Sequence, residues 1–418
     1  MVYRNLYVAW VGMLLLTSVA PTRANGLPSQ PDRLGTSADK TFTLTEPPVT
    51  PAFWAAVAVR HDRQIKPGSN GQVIAYKNYV YNGSNWSLND WLYPNMGRNA
   101  HEPENPTIKP QLLVYMPKGF ASDGTWGLLV LDAYSDKFGI PQGWEPICKQ
   151  RRLLLAVVQD AGNTHHDYWR QALIAKAYLE LNGKYKLNHH RIYLVGFSGG
   201  ARMVSEAAVV FSDIFKGEIS NCCADYPIVN AKSMEHSHEW FLAETRYLNL
   251  ARNEVRFFLF TGTKDVCETD TIMAYHHLKS LGFKYVTLFD QPGARHTQMS
   301  LQNFQRGLDY LDAPLTRGFK GKMRQVQTFE HQKQFGSALW LAQRMMDTAP
   351  GTPICNQARA IFESMRPAYT KMLSDVQTII RKGDAHASNI AIAQFAHLYL
   401  PYARADIQKL QSQMLKAH

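Results

Sequence analysis

Arg191-Ile192-Tyr193-Leu194-Val195-Gly196-Phe197-Ser198-Gly199-Gly200-Ala201 is an apolar, β-branched run that ends in Gly-x-Ser-x-Gly and enters a helical pattern from Ala201 to Val210. Strand, sharp turn and helix follow with no intervening loop. A serine at the apex of such a turn is strained, and only residues without a bulky side chain fit where the two backbones close on each other. Gly196 and Gly200 meet that demand. A Gly-Ser turn joining a buried strand to a helix has the same composition; the strand before and the helix after make the stretch read as a nucleophile elbow.

Outward from this stretch the chain alternates between two periodicities. Gln111 to Met116, Gly127 to Leu131, Leu153 to Val158, Glu218 to Cys223, Val255 to Thr261 and Tyr285 to Phe289 are short apolar runs bounded by turn residues, as strands buried on both faces should be. Helical spacing appears over Tyr168 to Leu181, Thr271 to Leu281 and Gln298 to Leu311. The alternation predicts an α/β fold with a mostly parallel sheet covered by helices on both faces.

The chain has 418 residues, 45% of them hydrophobic, enough for one large domain and a smaller one. The formal charge of +11 raises the question of nucleic acid, but Lys and Arg are scattered, with no dense basic stretch interleaved with aromatics. A solvated basic surface, able to associate with acidic envelope polymers, is the expectation instead.

Residues 1–24 read as a signal peptide: Arg4 precedes the apolar run Leu6 to Leu16, and Thr22-Arg23-Ala24 offers small residues at the cleavage-determining positions. A secreted or periplasmic protein with no transmembrane segment is expected. Export would place the five cysteines, Cys148, Cys222, Cys223, Cys267 and Cys355, in an oxidising compartment. Their spacing has no CxxC pair, so no zinc site is expected. Residues 25–50, rich in Pro, Ser, Thr and Asp, read as a flexible leader. Trp86, Trp91 and Tyr93 lie in a turn-rich segment, where they could line a cleft or pack beneath a loop.

A serine hydroxyl is a weak nucleophile near neutral pH and needs a base with a pKa near ~6.5, and the base needs a carboxylate to fix its tautomer. Asp265 follows the apolar run Val255 to Phe260 on a turn, with Glu268, Asp270 and Asp225 as rivals. His296 follows the last strand candidate and precedes a helix. A solvent-facing turn aspartate is the ordinary alternative for each carboxylate. His236-Ser237-His238-Glu239 offers too few ligands for a metal site.

From Gln111 to Leu311 the sequence resembles the α/β-hydrolase fold and, within it, the secreted esterases related to polyhydroxyalkanoate depolymerases and feruloyl esterases. The most specific stretches are Trp169-Arg170-Gln171 and Arg191 to Gly200. The resemblance implies a catalytic set of Ser198, Asp265 and His296. Gly262-Thr263-Lys264-Asp265 is similar to the family's acid turn, and Pro292-Gly293-Ala294-Arg295-His296 to its histidine loop. Oxyanion donors would be the N–H groups of Gly199 and of Tyr134, in Asp132-Ala133-Tyr134 where the family commonly has His-Gly-x. No metal or organic cofactor is implied.

The hydrolase domain is expected over residues 51–317. Residues 225–253, with Trp240, Phe241 and Tyr247, are longer than a typical connection and read as a small cap or a structural excursion. Cys222 or Cys223 could bridge to Cys267, or the thiols could stay free. Residues 318–418 lose the strand signal, and three amphipathic helices are expected there, over Phe335 to Met346, Ile361 to Ile379 and Ile407 to Met414, punctuated by Pro350, Pro353 and Gly383. The functional expectation is a secreted serine hydrolase of carboxylic esters, small or polymeric. The alternatives are a prolyl-oligopeptidase-type peptidase and a non-catalytic hydrolase-fold scaffold that binds a partner through its helical tail.

Overall fold

A computed structural model describes residues 38–45, 64–67, 73–76, 111–165, 167–228 and 240–417. The aromatics Trp86, Trp91 and Tyr93, the His236-to-Glu239 cluster and residues 1–24 lie outside the described residues. The chain divides into two compact units, Met1–Leu311 and Asp312–His418.

The first unit opens with β1 (Lys40–Thr45), β2 (Gln64–Pro67), β3 (Val73–Tyr76), β4 (Gln111–Met116) and β5 (Gly127–Asp132). Helix α1 (Trp144–Gln150), β6 (Leu153–Val158), α2 (Asp167–Lys184), β7 (Ile192–Phe197) and α3 (Gly199–Val210) follow. Next come β8 (Gly217–Asn221), β9 (Tyr226–Ile228), β10 (Trp240–Leu242) and α4 (Thr245–Glu254). The unit closes with β11 (Arg256–Lys264), α5 (Glu268–Ser280), β12 (Tyr285–Arg295) and α6 (Leu301–Asp312), whose last residue is assigned to the second unit.

Eight strands form one sheet in the order β1-β4-β6-β5-β7-β8-β11-β12. The pairs β1–β4 and β4–β6 are antiparallel, and every later neighbour is parallel. With the elbow described below, this mostly parallel, helix-covered sheet is the α/β-hydrolase fold.

Side-chain alternation explains why the strands are apolar throughout. Leu128 and Val130 of β5, Ile192 and Leu194 of β7, and Phe257 and Leu259 of β11 face one core, which Trp169, Val204, Leu248 and Leu278 cover from α2, α3, α4 and α5. Leu129 and Leu131, Tyr193 and Val195, and Phe258 and Phe260 face the other, covered by Trp144 of α1 and Phe304 of α6. The Trp144 and Phe304 rings stack at 3.8 Å between centroids. A strand with both faces packed has no polar side to display.

β5 connects to β6 on one side, and β6 then leads to β7 on the other side of β5. The strand order thus reverses between β5 and β7, and the carboxyl ends of strands at such a reversal are where open α/β sheets place ligands.

Three local expectations need correction. Residues 40–45 are not part of a flexible leader: Thr41-Phe42-Thr43-Leu44-Thr45 alternates, Phe42 and Leu44 pack on the core, and β1 pairs along all of β4. The surrounding Pro, Ser and Asp residues mask that short alternation. Pro292 and Gly293 lie within β12 rather than in a loop, so His296 leaves the strand end directly. Proline is tolerated there because β12 is an edge strand of the sheet. Within the segment expected as a cap, α4 buries Leu248 and Ala251 in the sheet's own core.

The second unit holds α7 (Phe319–His331), α8 (Phe335–Thr348), α9 (Pro353–Arg381), α10 (Ala385–Tyr399) and α11 (Arg404–Ala417) around its own apolar core. The long helix α9 touches the other four and carries Pro367 inside it. Of these helices α7 and α10 were not expected. In α10 Ala-His-Ala-Ser-Asn-Ile-Ala-Ile-Ala is helical by alanine content more than by a sharp apolar stripe. Among the described residues no helix is long and apolar enough to cross a membrane.

Candidate active site

The site begins with backbone geometry. Ser198 has φ 57° and ψ −125°, a conformation that costs energy for any residue with a Cβ, and it sits between the end of β7 and the start of α3. Its N–H donates to Asn221 O at 3.0 Å, continuing the ladder with β8. A Cβ on Gly196 would lie 2.3 Å from Gly200 O, and one on Gly200 would lie 2.3 Å from Asp132 O. The turn therefore closes only with glycine on both sides of the serine.

His296 reaches this serine from the sheet's edge. Its Nε2 lies 2.8 Å from Ser198 Oγ, and its Nδ1 lies 2.7 Å from Asp265 Oδ1. Asp265 stands just beyond β11, where its own N–H donates to Gly262 O and the register with β12 shifts between Gly262 and Lys264. The Cys267 N–H donates to Asp265 Oδ1 at 2.9 Å, and Thr261 Oγ1 donates to Oδ2 at 3.1 Å. Burial opposes the ionised carboxylate, but hydrogen bonds from the Cys222 thiol, Cys267 N–H, His296 and Thr261 outweigh it and hold the Asp265 carboxyl below its ordinary value. Ser198, His296 and Asp265, far apart in sequence, thus form one continuous hydrogen-bond chain. With Nδ1–H donating to a carboxylate, Nε2 can accept the serine proton.

The rival carboxylates are engaged elsewhere. Arg202 of α3 donates to Asp225 at 2.7 Å and to Asp270 at 2.8 Å. Among the described residues, Asp265 is the carboxylate bonded to His296; Glu268 lies in the first turn of α5. Glu206, which sequence reasoning missed, is buried beside Asp225 and accepts from Gln171 Nε2. Burial first, then the nearby Asp167 and Asp225, push its carboxyl well above the ordinary range, while Asp225 is pushed up to about 6 by burial against the pull of Arg202.

Tyr134 packs against Phe197, the residue before the serine, and Gly199 follows the serine. The Tyr134 ring meets Phe197 edge-on at 5.6 Å, and Phe197 lies 5.5 Å from the His296 ring. Asn163, also missed, donates its N–H to Tyr134 O at 3.0 Å, and its Oδ1 packs so closely on Gly199 that a Cβ there would lie 1.9 Å away. No signal in the sequence marks Asn163, because its partners are distant along the chain.

All five cysteines are free thiols. Cys223, at φ 144°, donates its thiol hydrogen bond to Cys267. That bond, with the nearby His296 ring and the Arg202 guanidinium, lowers the Cys267 thiol to about 7 against the effect of burial. Cys222 Sγ, a carboxylate oxygen of Asp265 and a His296 ring nitrogen lie within 4.8 Å of one another. Burial and Asp265 push the Cys222 thiol up, so it serves as a proton donor there, the opposite of what a metal ligand needs.

No family model matches the chain, and no curated protein matches it in sequence. Solved structures with a similar fold include the S-formylglutathione hydrolase of Staphylococcus aureus, at 15% identity over 46% of this chain and 85% of that one, with a TM-score of 0.36. An esterase of Thermogutta terrifontis is 15% identical over 50% of this chain and 88% of its own, with a TM-score of 0.35. The esterase of Pyrobaculum calidifontis is 13% identical over 45% of this chain and 73% of its own, with a TM-score of 0.32.

Proposed function

We propose that the protein is an exported serine hydrolase that cleaves carboxylic esters through an acyl-enzyme. The observation that carries this reading is the hydrogen-bond chain from Ser198 Oγ through the His296 ring to Asp265. His296 Nε2 takes the serine proton as Oγ attacks the ester carbonyl. Asp265 holds Nδ1–H and stabilises the imidazolium that forms. The Gly199 and Tyr134 N–H groups receive the oxyanion of the tetrahedral intermediate. Collapse expels the alcohol, protonated by His296, and leaves the acyl group on Ser198. Water activated by the same ring then releases the acid and restores the serine.

Export rests on the charged, apolar and small-residue order of residues 1–24, and a basic surface suits work near acidic envelope polymers. The test is covalent labelling with a fluorophosphonate probe together with turnover of a chromogenic ester series of increasing acyl length. Wild type should label and turn over, and Ser198→Ala should do neither. Equal, poor labelling of both proteins would end the enzyme reading, and cleavage of peptide reporters without ester turnover would replace it with a peptidase.

A further inference from the structure

Arg170 belongs to none of the groups that touch the reacting atoms, yet it is 3% exposed and sits beside them in the first turn of α2. Its Nη2 donates to Asp132 Oδ2 and to Ala133 O, both at 2.9 Å, and its Nη1 donates to Asn163 Oδ1 at 3.2 Å. The start of α2 is itself pinned, since Trp169 Nε1 donates to Asp160 O at 2.9 Å.

These contacts converge on the two candidate oxyanion donors. Across a trans peptide the carbonyl and the following N–H point in opposite directions. Holding Ala133 O against the buried guanidinium therefore turns the Tyr134 N–H away from it. The next carbonyl, Tyr134 O, is fixed from the other side by the Asn163 N–H at 3.0 Å. The same asparagine presents the Oδ1 that packs on Gly199, and Arg170 holds that oxygen. The loop also abuts the elbow directly, with Asp132 O and Ala133 N against Gly200. One planar fork thus ties the loop after β5 to the loop after β6, both of which pack on the elbow, a geometry a lysine ammonium cannot reproduce.

We propose that Arg170 is a positioning residue that sets both oxyanion donors, Tyr134 through the Ala133 carbonyl and Gly199 through Asn163. The proposal rests on the serine-hydrolase reading above. Asp132 supplies the counter-charge that lets a guanidinium stay buried at this point.

The test compares Arg170→Lys and Asn163→Ala with wild type; the second leaves the Arg170–Asp132 pair intact and guards against a folding failure in the first. Four quantities are measured: kcat and KM on a chromogenic ester, the inhibition constant of a trifluoromethyl ketone whose hemiketal oxygen occupies the oxyanion position, and the melting temperature. Removing one oxyanion donor costs about 10²–10³ in kcat. We expect Arg170→Lys to lose about 10²-fold in kcat with KM within about threefold, and trifluoromethyl ketone affinity to fall in parallel. Asn163→Ala should lose about tenfold in the same pattern. A folded Arg170→Lys or Asn163→Ala protein with wild-type kcat overturns the proposal. So does a loss of rate with unchanged ketone affinity, which is what a purely structural brace would give. Failure of the wild type to label at Ser198 removes the underlying hydrolase reading, whereas a labelled, active wild type with unaffected variants removes only the positioning role.

Discussion

Replacing Asp265 by Asn tests how the carboxylate acts, because the local donors dictate which way the new amide must face. Oδ1 accepts from the Cys267 N–H and from His296 Nδ1, while Oδ2 accepts from the Thr261 hydroxyl; that hydroxyl and the Cys222 thiol can both rotate to accept instead, whereas the backbone N–H cannot. The amide carbonyl therefore takes the Oδ1 place and the NH₂ faces Thr261. His296 keeps its Nδ1–H donor, and Nε2 remains free to accept from Ser198. The charge is what disappears. Two unit charges about 4 Å apart at an effective dielectric of about 20 attract by about 4 kcal/mol, which at about 1.36 kcal/mol per decade is about 10³ in rate. The amide dipole retains part of this, so kcat of Asp265→Asn should fall about 10²–10³-fold with KM little changed. Asp265→Ala, which also frees the ring to rotate, should fall at least about tenfold further. Steady-state ester hydrolysis, normalised to titrated serine, reads both. A wild-type rate in Asp265→Asn would place the acid elsewhere, and equal losses in Asn and Ala would refute the argument from amide orientation.

His296→Ala should abolish turnover by orders of magnitude while leaving the fold intact, since the ring is partly exposed; near-normal ester hydrolysis would demand another base. Gly196→Ala should prevent closure of the elbow, because its Cβ would fall 2.3 Å from a backbone oxygen that cannot move aside, and soluble, fully active protein would refute this. Glu218 is fully buried in β8 with its carboxyl pushed up to about 8 by burial, despite a hydrogen bond from Ser220. A raised acid contributes stability that is complete below its unfolded pKa and is lost as pH rises through the folded one, so the melting temperature should decline between about pH 5 and 9. Glu218→Gln should flatten that decline, and an unchanged slope would refute the assignment. At pH 7.5 iodoacetamide should modify Cys267 ahead of the buried Cys148 and Cys222, and Cys223→Ala should slow it by removing the thiol donor; peptide mapping of the alkylated protein checks both.

What could be read in advance was local or ordered along the chain. The turn at Ser198 is legible because two glycines, a strand and a helix are contiguous. Asp265 and His296 are legible because each leaves the end of an apolar run in the order this fold imposes. Asn163, Glu206 and the reach of Arg170 were not, because their meaning lies in contacts across the sheet's upper rim that no spacing encodes. Lys40–Thr45 escaped notice for a different reason: six residues carry too few apolar positions to stand out from a Pro- and Ser-rich surrounding, and the strand is held by pairing with β4 rather than by its own propensity. The additional helix α10 was hidden by alanine, which favours helix while leaving the apolar stripe faint, and α7 by its few apolar positions, Phe319, Met323 and Val326, set among polar residues.

The serine rides on an interior strand, whereas the imidazole hangs from the end of β12, at one edge of the sheet. Outer strands have one ladder to lose rather than two, and they open at lower cost than those between them. Warming should therefore detach the proton acceptor before the scaffold melts: inactivation would run ahead of the loss of secondary structure, and would reverse on cooling so long as the interior strands held.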